Sequence, residues 1–221
     1  MQNSLKILVI DDCKSFAGWI ALRLSQAGIG TVVCHSLKAA EPYIPYFDAE
    51  FAGAVIDKEL GFDDGLQVLA RLRRQSNLPL ILATADGSQE AVLKARAAGA
   101  DLVLEKPFSK EVLFNALGLH ETNKCPPDRS EEIALRHSFV RHLVTALQTV
   151  DPAMSDQHIL SLLHRLKGTS SLYGFTRISR RLKALYVDLR DRHLSRADIV
   201  LRLAELAKEI PENADMSLVQ K

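Results

Sequence analysis

The sequence predicts an α/β chain: a doubly wound, five-stranded parallel sheet followed by an all-α four-helix bundle. Three observations carry this expectation. Through roughly the first 119 residues, short apolar runs alternate with helix-length stretches. A polar segment containing Pro126-Pro127 then breaks the pattern. Beyond it, apolar residues recur only at helical spacing.

The elements follow in order. Lys6–Ile10 (KILVI) is a short apolar run of the kind found in strands buried on both faces of a parallel sheet. Similar runs lie at Thr31–Cys34, 52–56, 78–83 and 101–104. Helices are expected over 16–26, ending at Gly28, over 66–75, over 89–98, ending at Gly99, and over 110–119. Ser88 and Ser109 stand where N-caps belong, and the two glycines stand just past helix ends. Pro42 and Pro45 interrupt the stretch 37–47, so the second helix should be short or kinked. Five βα repeats imply right-handed crossovers. The first domain is therefore placed at 1–119, a linker at 120–129 and a helical domain at 130–221. The four expected helices of the last domain carry apolar stripes. These are Phe139, Val140, Leu143, Val144, Leu147; Ile159, Leu160, Leu162, Leu163, Leu166; Ile178, Leu182, Leu185, Tyr186, Leu189; and Ile199, Leu203, Leu206, Ile210.

Composition narrows the function. The 221 residues include 28 Lys+Arg and 27 Asp+Glu, with 47% hydrophobic and 25% charged residues. That balance excludes a disordered chain, a collagen-like repeat and a disulfide-rich miniprotein. No apolar run approaches the roughly 20 residues a membrane span needs. The first apolar run stops at Asp11-Asp12, unlike a signal peptide. Cys13, Cys34 and Cys125 have no metal-like spacing and read as reduced thiols, so a cytoplasmic protein without membrane partners is expected. A net charge of +1 gives no global reason to expect nucleic acid.

In a doubly wound sheet, function sits at the carboxyl ends of the strands. Asp11 and Asp12 end the first strand, Asp57 follows the third, Thr84 follows the fourth, and Lys106-Pro107 follows the fifth. Converging carboxylates call for a hard divalent cation with oxygen ligands, and Mg²⁺ suits them. A carboxylate can also attack phosphorus and form an aspartyl phosphate.

These residues, Asp11-Asp12, Asp57, Thr84-Ala85 and Lys106-Pro107-Phe108, resemble the receiver domain of two-component response regulators, which has a flavodoxin-like fold. The resemblance implies that Asp57 accepts a phosphoryl group from a sensor histidine kinase. It implies that Asp12 binds Mg²⁺ directly and Asp11 through water, with Asp57 and the backbone carbonyl of Glu59 as further ligands. Lys106 would contact the phosphoryl group, Thr84 would move to hydrogen-bond it, and the bond before Pro107 would be cis. The small Ala85 would leave the phosphate accessible, and Asp64-Gly65 matches the family's turn after the acceptor. Gly61 stands where the family usually has proline, and Val103 where it usually has an aromatic residue.

In the helical domain His164 lies off the centre of its stripe and should face solvent, with Lys167 and Gly168 on neighbouring surface. A glycine inside a helix costs about 0.5–1 kcal/mol relative to alanine, and close approach of a partner backbone would be one reason for it. The run His164-Arg165-Leu166-Lys167-Gly168 resembles the histidine-phosphotransfer (HPt) domain, over roughly 130–212. The resemblance implies phosphohistidine at His164, aided by Lys167, and exchange with an aspartate of a downstream response-regulator receiver.

The reading is a phosphorelay protein, a phosphotransfer carrier more than a turnover enzyme. The alternative is a response regulator whose helical domain is a phosphorylation-switched partner- or DNA-binding module. Arg177, Arg180, Arg181 and Lys183 form a basic stretch, and residues 162–181 could form a helix-turn-helix. The connection expected at 169–175 is long for the usual turn of three to four residues.

Overall fold

The computed structural model describes residues 6–61, 63–119 and 129–210. The chain divides into two compact units, the first ending at Arg129. The expected linker, Arg129 excepted, lies outside the described residues, as does Cys125.

The first unit begins with β1 (Lys6–Ile10), α1 (Lys14–Gln26) and β2 (Thr31–Cys34). Then come α2 (Leu37–Ala40), a 3₁₀ helix (Glu41–Tyr46), α3 (Phe47–Glu50) and β3 (Phe51–Asp57). A small hairpin of β4 (Glu59–Leu60) and β5 (Asp63–Asp64) leads into α4 (Gly65–Arg73). The unit continues with β6 (Leu80–Thr84), α5 (Gln89–Ala97), β7 (Leu102–Glu105) and α6 (Lys110–Ala116).

Five strands pair in parallel in the order β2-β1-β3-β6-β7. The order reverses direction between β1 and β3, so a crevice opens at the carboxyl ends of those two strands. The apolar runs are buried as their composition requires. Leu8, Ile10, Ile56, Leu69 and Leu82 belong to one core cluster, all fully inaccessible.

Local chemistry sets the boundaries. Ser88 and Ser109 cap α5 and α6, accepting from Ala91 N (3.3 Å) and Val112 N (3.4 Å). Gly28 and Gly99 take φ of +76° and +105°, which closes α1 and α5. Pro42 and Pro45 fall in the 3₁₀ segment, so the second helical stretch is broken as the sequence suggests. Asp64 caps α4 by accepting from Leu66 N at 2.9 Å, which starts the helix at Gly65. The hairpin β4–β5 was not expected, because two-residue strands carry no periodicity to read.

The described part of the second unit is helical: α7 (Arg129–Gln148), α8 (Asp156–Leu172), α9 (Thr176–Arg190) and α10 (Arg196–Glu209). Each turns an apolar face inward, with Phe139, Leu143, Ile159, Leu163, Leu182, Ile199 and Leu203 at 0% exposure. Phe139 stacks on Tyr173 with ring centroids 4.8 Å apart. Ser195 and Asp198 form a reciprocal capping box at the start of α10.

The connection between α8 and α9 differs from expectation. It is the three residues 173–175, with Gly174 at φ +83°, because residues 169–172 remain helical. Thr169 satisfies its hydroxyl inside the helix by donating to the Arg165 carbonyl (3.0 Å), so it does not end α8. Ser179 Oγ of α9 donates to the Lys167 carbonyl (2.7 Å), and Tyr186 meets His164 further along. Two helices in contact at both places lie side by side and antiparallel. A helix-turn-helix needs its helices to diverge at about 90–120°. No helix among the described residues is long and apolar enough to cross a membrane.

Candidate phosphoryl-transfer site

The strand ends around the crevice deliver its charged groups. Asp11 follows β1 and is 1% exposed, Asp57 ends β3 at 5%, and Asp12 is half-buried between them and solvent. Their carboxylate oxygens lie within 4.8 Å of one another. Lys106, directly after β7, donates from Nζ to Asp11 Oδ2 (2.7 Å) and Asp57 Oδ2 (2.9 Å). The Lys106–Pro107 peptide is cis, as the resemblance implies. The same ammonium sits over the Phe16 ring, 4.2 Å from its centroid.

The backbone fixes these positions. Cys13 N donates to Asp11 Oδ1 (2.8 Å), which orients that carboxylate at the start of α1. His35 Nδ1 lies 2.9 Å from the Asp11 carbonyl oxygen. Gly65 N donates to the Lys58 carbonyl (2.8 Å), drawing α4 against the end of β3. Thr84 is buried, and its hydroxyl oxygen accepts from Asp86 N at 3.0 Å. Lys58 Nζ and Asp86 Oδ2 stand 3.7 Å apart. Glu59 N approaches Asp57 Oδ1 at 3.4 Å.

The electrostatics are strained in one direction. Burial pushes the Asp57 carboxyl up to about 7; the Asp11 charge adds to this, and the Lys106 ammonium opposes it. Burial likewise raises Asp11, against the pull of Lys106. Burial alone would lower Lys106, but the Asp11 and Asp57 carboxylates outweigh it and hold the amine above the ordinary lysine range.

In the second unit His164 is half-buried rather than fully exposed, and Gly168, expected on the neighbouring surface, is buried within the helix packing. The Tyr186 ring on α9 meets its imidazole edge-on, centroids 5.5 Å apart. Lys167 Nζ lies over the same ring at 4.8 Å, and the Arg190 guanidinium lies 6.0 Å from it. One tyrosine therefore gathers a histidine and two cations.

The sequence profile of the family described as "Response regulator receiver domain" matches residues 7–118, half of the chain. The chain belongs to the response regulator receiver family. Among similar proteins is the "Transcriptional regulatory protein TctD" of Salmonella typhimurium, 32% identical over 110 residues, covering 49% of this chain and 48% of that protein. The "Response regulator MprA" of Mycobacterium bovis is 30% identical over 136 residues, covering 61% and 58%. The chain thus spans about half of the lengths of these relatives. A solved Francisella response regulator 1452 receiver domain is 32% identical, covers 52% of this chain and 93% of its own, and superposes with a TM-score of 0.46.

Receiver domains bind Mg²⁺ at an acidic pocket and are phosphorylated by sensor histidine kinases. The donor set of this receiver fits such an ion. Three carboxylates within 4.8 Å, facing a single lysine, supply the hard, anionic oxygens that Mg²⁺ prefers.

The structure brings Asp11, Asp12, Asp57 and Lys106 together. Thr84 stands at the neighbouring strand end with its hydroxyl turned to Asp86 N, and Glu59 contributes backbone beside Asp57. His164 and Lys167 share one helix in the other unit. No motif in the sequence marks Phe16 or Tyr186. Phe16 reads as ordinary core of α1, and Tyr186 as one more member of an apolar stripe. The one available signal for Tyr186 was a phenol in an otherwise aliphatic stripe.

Proposed function

We propose that this receiver works in a phosphorelay, with Asp57 as its phosphoacceptor and His164 as a second phosphoryl carrier. In the first step an Asp57 carboxylate oxygen forms a bond to phosphorus. The bond from phosphorus to the kinase's phosphohistidine nitrogen breaks, and the imidazole keeps that electron pair. Asp12, Asp57 and the Glu59 carbonyl, with Asp11 through water, would hold Mg²⁺, which would supply charge neutralisation at the phosphoryl oxygens. Lys106 offsets further negative charge, and Thr84 would turn from Asp86 N to donate its hydroxyl proton to a phosphoryl oxygen. In the second step the neutral imidazole of His164 attacks the phosphorus of an aspartyl phosphate on a separate receiver. The acyl oxygen leaves as carboxylate, and Lys167 offsets the charge that His164 gains.

The observation that carries the reading is the pairing of buried Asp57 with Lys106 at 2.9 Å beside two further carboxylates. For the helical domain, which we read as a four-helix bundle at 130–221, support comes from His164 and Lys167 sharing the Tyr186 ring. A second reading, a phosphorylation-switched binding module, is favoured by the name of the transcriptional relative. Label chemistry separates the two, since acyl phosphate survives acid and phosphohistidine survives base. The 221-residue chain is incubated with a radiolabelled phosphorylated kinase and a phosphorylated receiver. Asp57→Ala should lose the acid-stable label, and His164→Gln the base-stable label. Base-stable label absent from the wild-type chain would favour the binding module. Acid-stable label persisting in Asp57→Ala would refute the acceptor assignment.

A further inference from the structure

We propose that Phe16 is a positioning residue for phosphoryl transfer, holding the Lys106 ammonium on its ring face while that ammonium exchanges oxygen partners. The role rests on reading Asp57 as the phosphoacceptor.

The Lys106 Nζ has three protons. Two partners are the carboxylate oxygens of Asp11 (2.7 Å) and Asp57 (2.9 Å), and the Phe16 ring takes a further side at 4.2 Å. The lysine side chain is 11% exposed and Phe16 is 1% exposed, so the contact is largely desolvated. In such a setting the attraction between a cation and a ring is strong. The ring itself cannot drift. Phe108 meets it edge-on at 5.4 Å, and Trp19 stacks at 6.1 Å. Phe108 lies two residues after Lys106, so the same loop presents a cation to the ring and an edge against it. The ring is also tied to the acids. Phe16 sits in the first turn of α1, whose capping residue Cys13 donates its N–H to Asp11.

The chemistry explains why an aromatic face suits this place. A hydroxyl or amide there would be a directional acceptor and would compete with an incoming phosphoryl oxygen. A ring face attracts the ammonium without fixing its direction, and it excludes water. When phosphorus bonds to Asp57, Lys106 can trade a carboxylate oxygen for a phosphoryl oxygen and remain seated.

Stepwise fluorination of the ring tests this, because it weakens the electrostatic attraction while largely keeping the shape. The 221-residue chain carrying His164→Gln, so that label stays on the first unit, is made with mono-, di- and trifluorophenylalanine at position 16. Acetyl phosphate with Mg²⁺ is the donor; the new bond joins phosphorus to an Asp57 oxygen, and acetate leaves with the electron pair. The maximal rate should fall stepwise, by about tenfold at the trifluoro ring, as expected for a desolvated cation–ring contact. The same substitution at Phe108, which packs on the ring without contacting the ammonium, should change the rate by less than about twofold. By NMR, the Lys106 ammonium protons, assigned by their loss in Lys106→Arg, should be shifted upfield by the ring and lose that shift in Phe16→Leu. Labelling that is insensitive to fluorination, or equally sensitive at both positions, would overturn the role of Phe16 alone. A chain that takes no label despite a ring-shifted ammonium would overturn the reading of Asp57, and the role of Phe16 in transfer with it.

Discussion

A carboxyl group held near 7 makes a folded chain sensitive to pH in the opposite sense from an ordinary ion-paired aspartate. Burial raises Asp57 from 3.8 to about 7, so the folded chain keeps a proton that the unfolded chain has released. Below the ordinary carboxyl range both forms are protonated and stability does not depend on this group. As pH climbs through the window between the two values, the unfolded chain ionises first and stability falls. At about 1.4 kcal/mol per pH unit, the loss is at most about 4 kcal/mol. In chelator, the melting temperature of the wild-type chain should therefore be lower at about pH 8 than at about pH 5, and Asp57→Asn should flatten the difference. A wild-type chain more stable at the higher pH, with Asp57→Asn unchanged, would contradict this. Asp57 was legible in the sequence because aspartate is depleted in strands and stands out at a strand end. Phe16 was not, because its partner Lys106 is 90 residues away and an aromatic on a helix face reads as core.

At the scale of elements, the packing of α4 on β3 decides where Asp57 points. A Cβ at Gly65 would lie 1.8 Å from the Asp57 carbonyl oxygen and 3.1 Å from Lys58 Cα, both backbone atoms that cannot move aside. Gly65→Ala must push the helix start away from the strand end, stretching the Gly65 N–H to Lys58 carbonyl bond of 2.8 Å. Overpacking of this kind costs about 1–3 kcal/mol. Urea denaturation should show a loss of about that size, with slower labelling of Asp57 in the protein that remains folded. Unchanged stability and unchanged labelling would mean the two elements are not coupled. The family resemblance marked Asp64-Gly65 as a turn, but the reason for glycine is a contact between elements. Elements bounded by serine caps and prolines were readable. The continuation of α8 to Leu172 was not, because a threonine hydroxyl that bonds its own helix looks the same in sequence as one that ends it.

For the whole molecule, the two-unit division was legible because strand signals stop before Pro126-Pro127 and never return. The family profile ends at residue 118, so for the second unit the proposed phosphohistidine role rests on a five-residue motif and the packing around it. The first unit offers a measurement free of the second. Trp19 is the chain's single tryptophan, and it is 5% exposed beside Phe16 and Phe108. Its fluorescence therefore follows the unfolding of the unit that holds the acids, even with the second unit attached. Asp11, Asp12 and Asp57 converge only when that unit is folded, so Mg²⁺ should bind the folded form and stabilise it by mass action. Free ion at a hundred times its dissociation constant should contribute about 2.7 kcal/mol. The unfolding midpoint reported by Trp19 should rise with Mg²⁺ at neutral pH, and Asp12→Ala should abolish most of the rise. The expected gain is larger at about pH 8 than at about pH 5, because the ion competes with the proton on Asp57 for the same oxygens. A midpoint that ignores Mg²⁺ at both pH values would mean that these three carboxylates, though gathered within 4.8 Å, do not form a cation site.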